Sequence, residues 1–229
     1  MFITKKRYAA LIYDLEGERK DIDGKPGKIK AMGVDLKRSD TPEFVQRFLE
    51  ELLTMVLIGK TKQDCFEKIA DFKGEFGERD GWEKGTPKRV NNLTKYLGIV
   101  NSYNNQTAGL SDLDNVKTIK KPTMPGHVRA SLNWNDLRRA YNDRYSLPIM
   151  DGQKVIVCKL KSNPMNYTSI AYPIDELNLP RWFKELAFDH DAMEQTIIDQ
   201  KIKNLIGVLG WELKETQQSN TFDSLFEIG

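Results

Sequence analysis

Long apolar runs are missing from the 229 residues, and cysteine and histidine occur only twice each. No stretch approaches the roughly 20 apolar residues that cross a bilayer, which excludes a spanning helix. The opening Met-Phe-Ile-Thr-Lys-Lys-Arg turns polar too early for a signal-peptide core, so the expected location is a cytoplasm. Cys65 and Cys158 lie far apart, with no His or second Cys at ligand spacing. That leaves no disulfide framework and no zinc site, only two ordinary thiols. His127 and His190 have no nucleophile arranged beside them, and there is no Gly-rich phosphate loop, which argues against a self-contained hydrolase or nucleotide-binding enzyme. Internal repeats and low-complexity arrays are absent as well.

With 39% apolar and 30% charged residues the chain suits one large domain or two small ones. A net charge of +2 identifies no partner, because binding follows the placement of charge rather than its sum. Placement is uneven. Asn115 to Asn135 carries Lys117, Lys120, Lys121, His127 and Arg129 and no acid, and Lys84 to Lys95 repeats the bias with Lys88 and Arg89. Either a one-sided basic surface or a set of solvated loops accounts for this.

RYAALIY (Arg7 to Tyr13) reads as a strand and KIKAMGVDL (Lys28 to Leu36) as a second, joined by a Gly/Pro-containing loop and able to pair antiparallel. Thr41 followed by Pro42 and Glu43 predicts a helix start, with Thr41 as the cap and Pro42 at the first helical position. Phe44, Val45, Phe48, Leu49, Leu52, Leu53 and Val56 give that helix an apolar stripe, and Gly59 ends it. A second helix runs from Thr61 to about Phe76, with Thr61 and Asp64 at capping distance. Gly77 to Leu147 is weakly periodic and basic, with RVNNLTKYLG and HVRASLNWNDLRRAY as short candidate elements whose type the pattern leaves open. KVIVCKL (Lys154 to Leu160) and TSIAY (Thr168 to Tyr172) read as two more strands, and a last helix spans about Asp191 to Leu209. The mixture is α+β.

Lys5-Lys6-Arg7-Tyr8 sets three cations and a phenol at the mouth of a strand, where alternation sends Lys6 and Tyr8 to one face and Lys5 and Arg7 to the other. Taken alone, this is either an approach to a nucleic-acid groove or a solvated basic terminus. KKRY followed by AALIYDLEG, KIKAMG and RSDTPEFVQRFLEELL resembles, in order and spacing, the segment after the catalytic strand pair in family B DNA polymerases of tailed phages. The likeness continues through NNLTKY, HVRASLNWN, GQKVIVCKLKSNP, IAYP and the terminal SLFEIG, and so covers essentially the whole chain.

The resemblance implies a palm end over 1–40, a mainly helical thumb with small antiparallel elements over 41–220, and a clamp-binding tail over 221–229. It implies primer-template contacts for Lys5, Lys6, Arg7 and Tyr8 and a minor-groove contact for Lys30, a surface that senses pairing shape without demanding sequence. Phosphate contacts fall to Lys95, Tyr96, His127 and Arg129, with Asn91, Asn92 and Lys121 beside them. Trp134 stands where the family usually has tyrosine, which puts a hydrogen bond there in doubt. Ser224, Leu225 and Phe226 resemble the peptide that docks on a sliding clamp. The family's metal-binding aspartates lie upstream of the Lys-x-Tyr element and have no match here, so no catalytic residue, cofactor or metal is expected in this chain. Mg²⁺ belongs to the palm of an N-terminal palm/fingers/exonuclease partner, whose sheet the exposed edge of Arg7 to Tyr13 would extend. Asp14 and Glu16 share a strand face outside the principal ion site, and at most Glu16 is an auxiliary ligand. The implied setting is the cytoplasm of an infected bacterium, during phage DNA replication. The alternative is a non-catalytic, stand-alone module that binds duplex DNA.

Overall fold

The computed structural model describes residues 2–4, 7–24, 26–32, 36, 38–96 and 124–213. The apolar run after the basic N-terminus forms β2 (Arg7–Ile12), between β1 (Phe2–Thr4) and β5 (Lys28–Met32), all antiparallel. Pairing of Ala9 with Ala31 places two small side chains back to back, and this face lies against the first helix with Ala9 only 1% exposed. The expectation that Arg7 to Tyr13 is an open edge needs correcting. β5 covers one side of β2 along its length and β1 pairs with Arg7 and Tyr8 on the other, so β2 is an inner strand where those pairings run.

A small hairpin, β3 (Asp14–Leu15) and β4 (Glu18–Arg19), turns at Glu16 (φ +56°) and Gly17 (φ +84°), and the Gly17 amide donates to Asp14 Oδ1 at 2.8 Å. Glu16 therefore sits in the turn and not on a strand face with Asp14, which corrects that reading.

Helix α1 (Glu43–Leu57) follows its predicted stripe and α2 (Lys62–Glu78) its capping box, in which Thr61 and Asp64 satisfy each other's amides. Phe48 stacks on Phe72 at 3.8 Å between ring centres, which locks the two helices together. Pro42, rather than Thr41, occupies the cap of α1. Thr41 is buried, and its hydroxyl accepts a hydrogen bond from Lys201 Nζ at 2.8 Å.

The second sheet is β6 (Thr86–Arg89), β7 (Lys154–Lys159) and β8 (Ser169–Pro173), antiparallel in that order. Helix α3 (Gly126–Ala140) packs along β8. Gly85 permits the approach of β6 to β7, since a Cβ there would lie 2.3 Å from Ile156 Cγ2. Beyond the single turn α4 (Arg181–Lys184), the chain is helical from His190 to Leu209. It runs as α5 (His190–Glu194), a π turn (Gln195–Asp199), α6 (Gln200–Ile206) and a closing 3₁₀ turn (Gly207–Leu209). Lys73 of α2 pairs with both Glu194 and Asp199, at 2.7 and 3.0 Å, and so grips both ends of the π turn. One connected apolar cluster runs from Ala9 to Ile206, and the architecture is α+β.

Candidate nucleic-acid interface

Two surfaces present cations. The first is the outer face of the N-terminal sheet. Strand alternation places Tyr8, Ala10 and Ile12 on the face turned from α1, opposite Met32, Lys30 and Lys28 respectively. Lys28, Lys30 and Met32 are exposed and Tyr8 is half-buried, so a phenol, a thioether and two ammonium groups share one shallow face. Arg7 is placed through its backbone, opposite Thr4. Lys5 and Lys6 lie outside the described residues.

The second surface is a groove of about 360 Å³ between β6–β7, the start of α3 and the π turn. Its floor is Val157, Met193 and Ile197, and around it stand Lys88, Lys159, Lys201 and His127. Lys88 and Lys159 share the face of the sheet that carries Thr86 and Val157, by the period of two. Lys159 Nζ donates to Thr196 Oγ1 at 2.8 Å, and Lys88 Nζ donates to Asp40 Oδ2 at 3.0 Å. Asp40 also pairs with Arg38 at 3.1 Å; burial opposes its charge, but Lys88 and Arg38 outweigh burial and hold the carboxyl below its ordinary pKa. Burial first, and then the Lys88 ammonium, push His127 below the ordinary imidazole value. At neutral pH His127 therefore contributes hydrogen-bonding capacity rather than charge.

The remaining sequence candidates spread around this groove. Asn91, Asn92 and Lys95 are exposed on the loop and 3₁₀ turn (Leu93–Tyr96) after β6, with Asn92 in the left-handed region at φ +61°. Asp151 fixes that turn by accepting from the Leu93 amide and from Thr94 Oγ1. Tyr96 is 8% exposed and belongs chiefly to the core, its ring beneath the Lys95 ammonium at 5.7 Å. Arg129 is half-buried one turn into α3. Lys121, Ser224, Leu225 and Phe226 lie outside the described residues.

Lys84 leaves the basic surface altogether. It is 1% exposed, donates to Gly77 O at 2.9 Å at the end of α2, and lies 2.6 Å from His190 Nδ1. Trp134 is fully buried, and its indole N–H donates to Leu147 O at 2.9 Å, so a hydrogen bond is made where one was in doubt. Sequence reasoning missed Lys159, Lys201 and Asp40. Alternation with Val155 and Val157 was the available signal for Lys159. Nothing local marks Lys201 or Asp40, which reach the groove through tertiary packing. Among the described residues, no group of three or more His, Cys, Asp or Glu is placed to hold a metal ion, and no helix is long and apolar enough to cross a membrane.

Residues 1–122 match the family model described as DNA polymerase family B. The chain is 27% identical over 227 residues to the DNA-directed DNA polymerase of Enterobacteria phage T4, covering 97% of this chain and 22% of that protein. It is 29% identical over 171 residues to the DNA-directed DNA polymerase of Escherichia phage RB69, covering 74% of this chain and 16% of that protein. The chain thus spans less than a quarter of either relative.

Proposed function

Because this chain belongs to DNA polymerase family B, we propose that it is the palm-end and thumb portion of a phage replicative polymerase, which grips primer-template DNA while a palm-bearing chain does the chemistry. In this reading residues 1–40 finish the palm, 41–220 form the thumb and 221–229 tether the enzyme to a sliding clamp. The observation that carries it is the joint presence of an outward Tyr8/Lys30 face and a separate lysine-lined groove in a chain aligned over 97% of its length with a phage polymerase.

The contribution to catalysis is positioning. A primer terminus held against the palm's Mg²⁺ ions reacts by in-line displacement, and misplacement by about 1 Å costs on the order of a hundredfold in rate. Tyr8 and Lys30, with Lys5, Lys6 and Arg7, address the duplex near that terminus. Acceptors occur in the minor groove of every base pair, so these contacts test pairing shape and ignore sequence. Asn91, Asn92, Lys95, Lys121, His127 and Arg129 serve the phosphates further along, while Tyr96, buried in the core, supports the turn that carries Lys95. Ser224, Leu225 and Phe226 serve the clamp. Replication of phage DNA in the cytoplasm of the infected host is the setting this implies.

Primer extension by this chain, by a palm-bearing N-terminal chain and by the two mixed, with Mg²⁺ and all four deoxynucleotides, tests the proposal. Synthesis in the mixture alone is the expected result. A palm-bearing chain that extends equally well by itself would reduce this chain to an accessory duplex binder. Removal of residues 224–229 is expected to abolish clamp-dependent long products and spare short extension.

A further inference from the structure

We propose that Lys84 and His190 form an acid-sensitive latch: the buried Lys84 ammonium closes the end of α2 only while the His190 ring is neutral and receives it, and protonation of that ring opens the connection between α2 and β6. The latch needs no ligand and works whether or not the chain binds DNA. Lys84 lies in the connection 79–85 and is 1% exposed. Three groups surround its Nζ: Gly77 O at 2.9 Å, His190 Nδ1 at 2.6 Å and the Phe76 ring, whose centre is 5.2 Å away. Gly77 and Phe76 belong to the last turn of α2, where carbonyls lack intrahelical donors and the helix end is partly negative. The ammonium therefore caps that end and meets a ring face, both of which favour a cation. Among the described residues no carboxylate pairs with Lys84 directly, so a buried charge rests on two neutral acceptors and a ring. Loss of either acceptor leaves it short of a partner.

His190 is the exposed first residue of α5, open to protons from solvent. Because Lys84 donates, Nδ1 is the bare nitrogen and the neutral ring carries its proton on Nε2. A second proton turns Nδ1 into a donor facing a donor. Burial first, then the Lys84 and Lys161 ammonium groups, hold His190 below the ordinary imidazole value, against Asp191 and Asp189. Around Lys84, burial opposes the charge, while Glu194 and Asp191 of α5 and Asp80 of the connection support it from a distance. Glu194 is itself paired with Lys73 at 2.7 Å. The backbone at His190 is tied down, since the Asp189 amide donates to Lys159 O at 3.0 Å and Asp189 Oδ1 accepts from the Ala192 amide. In the connection, Trp82 O accepts from the Tyr172 hydroxyl at 3.1 Å. The parts left to yield are the Lys84 side chain and the turn of α2 that it caps. A ring held below its unfolded value favours the fold above about pH 6.5, and that contribution fades as pH falls below it.

The test is amide hydrogen exchange of the full chain, read as protection factors, beside nuclear magnetic resonance titration of its histidine rings. Protection of the last turn of α2 and of the connection 79–85 is expected to fall about tenfold between about pH 7.5 and about pH 5.5, the change that one unit of pKa difference carries, while the middle of α1 stays protected. His190→Gln keeps an acceptor that does not titrate, so its protection should be flat with pH; a fall equal to that of wild type would overturn the sensor. Lys84→Met keeps the length and removes the charge, and should raise His190 toward an ordinary imidazole, whereas an unmoved His190 would overturn the pairing. His127→Gln should retain the wild-type fall, and a flat response from it would put the sensor at His127 and overturn the latch. If Lys84→Met does not fold, the wild-type ring decides: a His190 that titrates at or above about 6.5, or whose neutral form carries its proton on Nδ1, would overturn the proposal.

Discussion

The two three-stranded sheets share strand number and antiparallel pairing but differ in what covers them. The N-terminal sheet is covered on one face by α1, through Ala9 and Ala31, and its other face carries Tyr8, Lys28, Lys30 and Met32 outward. The second sheet is enclosed. Val155 and Cys158 point to opposite faces of β7, and both are fully buried, as are Ile170 and Ala171 of β8. A cation on the first sheet is placed by local pairing and turn geometry. A cation beside the second, such as Lys88 or Lys159, is placed by everything packed around it. Substitutions near the second sheet should therefore cost stability and ligand geometry together, whereas on the first sheet the two should separate.

The largest effect belongs to Trp134, fully buried among Trp182 and Phe183 and hydrogen-bonded to Leu147 O. Trp134→Ala is expected to lower unfolding stability by about 3–5 kcal/mol. A loss below about 1 kcal/mol in denaturant titration would show that this core collapses easily, and the contrast between the sheets would weaken.

Gly85→Ala comes next. Its new methyl would meet Ile156 Cγ2 at 2.3 Å and Cys158 Sγ at 2.8 Å, forcing β6 from β7. We expect a loss of about 1–3 kcal/mol, and with it a shift of Lys88. Ala10→Thr on the outer face of the first sheet should stay within about 0.5 kcal/mol, because Ala10 is exposed. Equal costs for the two would contradict the comparison.

Asp143 organises the loop after α3. Burial works against its carboxylate, but the Ser146 hydroxyl, the Trp182 indole and the Ser146 and Tyr145 amides outweigh it and set its pKa at about 2. A depressed pKa stabilises the fold above the unfolded value near 4, and that stabilisation is lost as pH falls toward 2. Asp143→Asn should cost about 1–2 kcal/mol at pH 7, and the gap from wild type should close between pH 4 and pH 2. A gap that persists at pH 2 would mean the amide fails sterically, not by charge.

The same contrast explains what the sequence reveals. α1, α2, β7 and β8 follow simple periods, with Thr61 and Asp64 announcing α2, because their buried faces are apolar. The segment of α3 stands out as an element but its helical type is hidden, because its buried face is partly polar: Ser131 Oγ donates to His127 O, Asn133 Nδ2 to Ser169 O, and Asn135 pairs with both backbone groups of Ile149. Hydropathy cannot report a face whose polar groups are satisfied one by one. β6, with the sequence TPKR, has no apolar alternation and takes its register from β7. Of the candidate interface, alternation gave the side of β2 on which Tyr8 stands, Lys30 came from the resemblance alone, and the pairing of β2 with β5 puts the two on one face. The groove was not, because Lys201, Lys159 and Asp40 come from three distant segments, and the Lys84 charge misled because its run gave no sign that one lysine turns inward to close α2.

The smallest effect on stability should accompany the sharpest effect on function. Lys30 is exposed, stands opposite Ala10 and packs against no helix, so Lys30→Ala should change unfolding stability by less than about 0.5 kcal/mol. If the outer face holds the primer terminus, the same change should slow primer extension by the assembled polymerase about tenfold, and more than it weakens duplex binding, because misalignment acts on the reacting geometry. Lys159→Gln should show the reverse order, with binding hurt more than extension at saturating enzyme, since a backbone phosphate distant from the terminus only tethers. Equal losses in both assays for both variants would mean that the two surfaces do one job. The division between a locally built sensing face and a tertiary-built gripping groove would then fall.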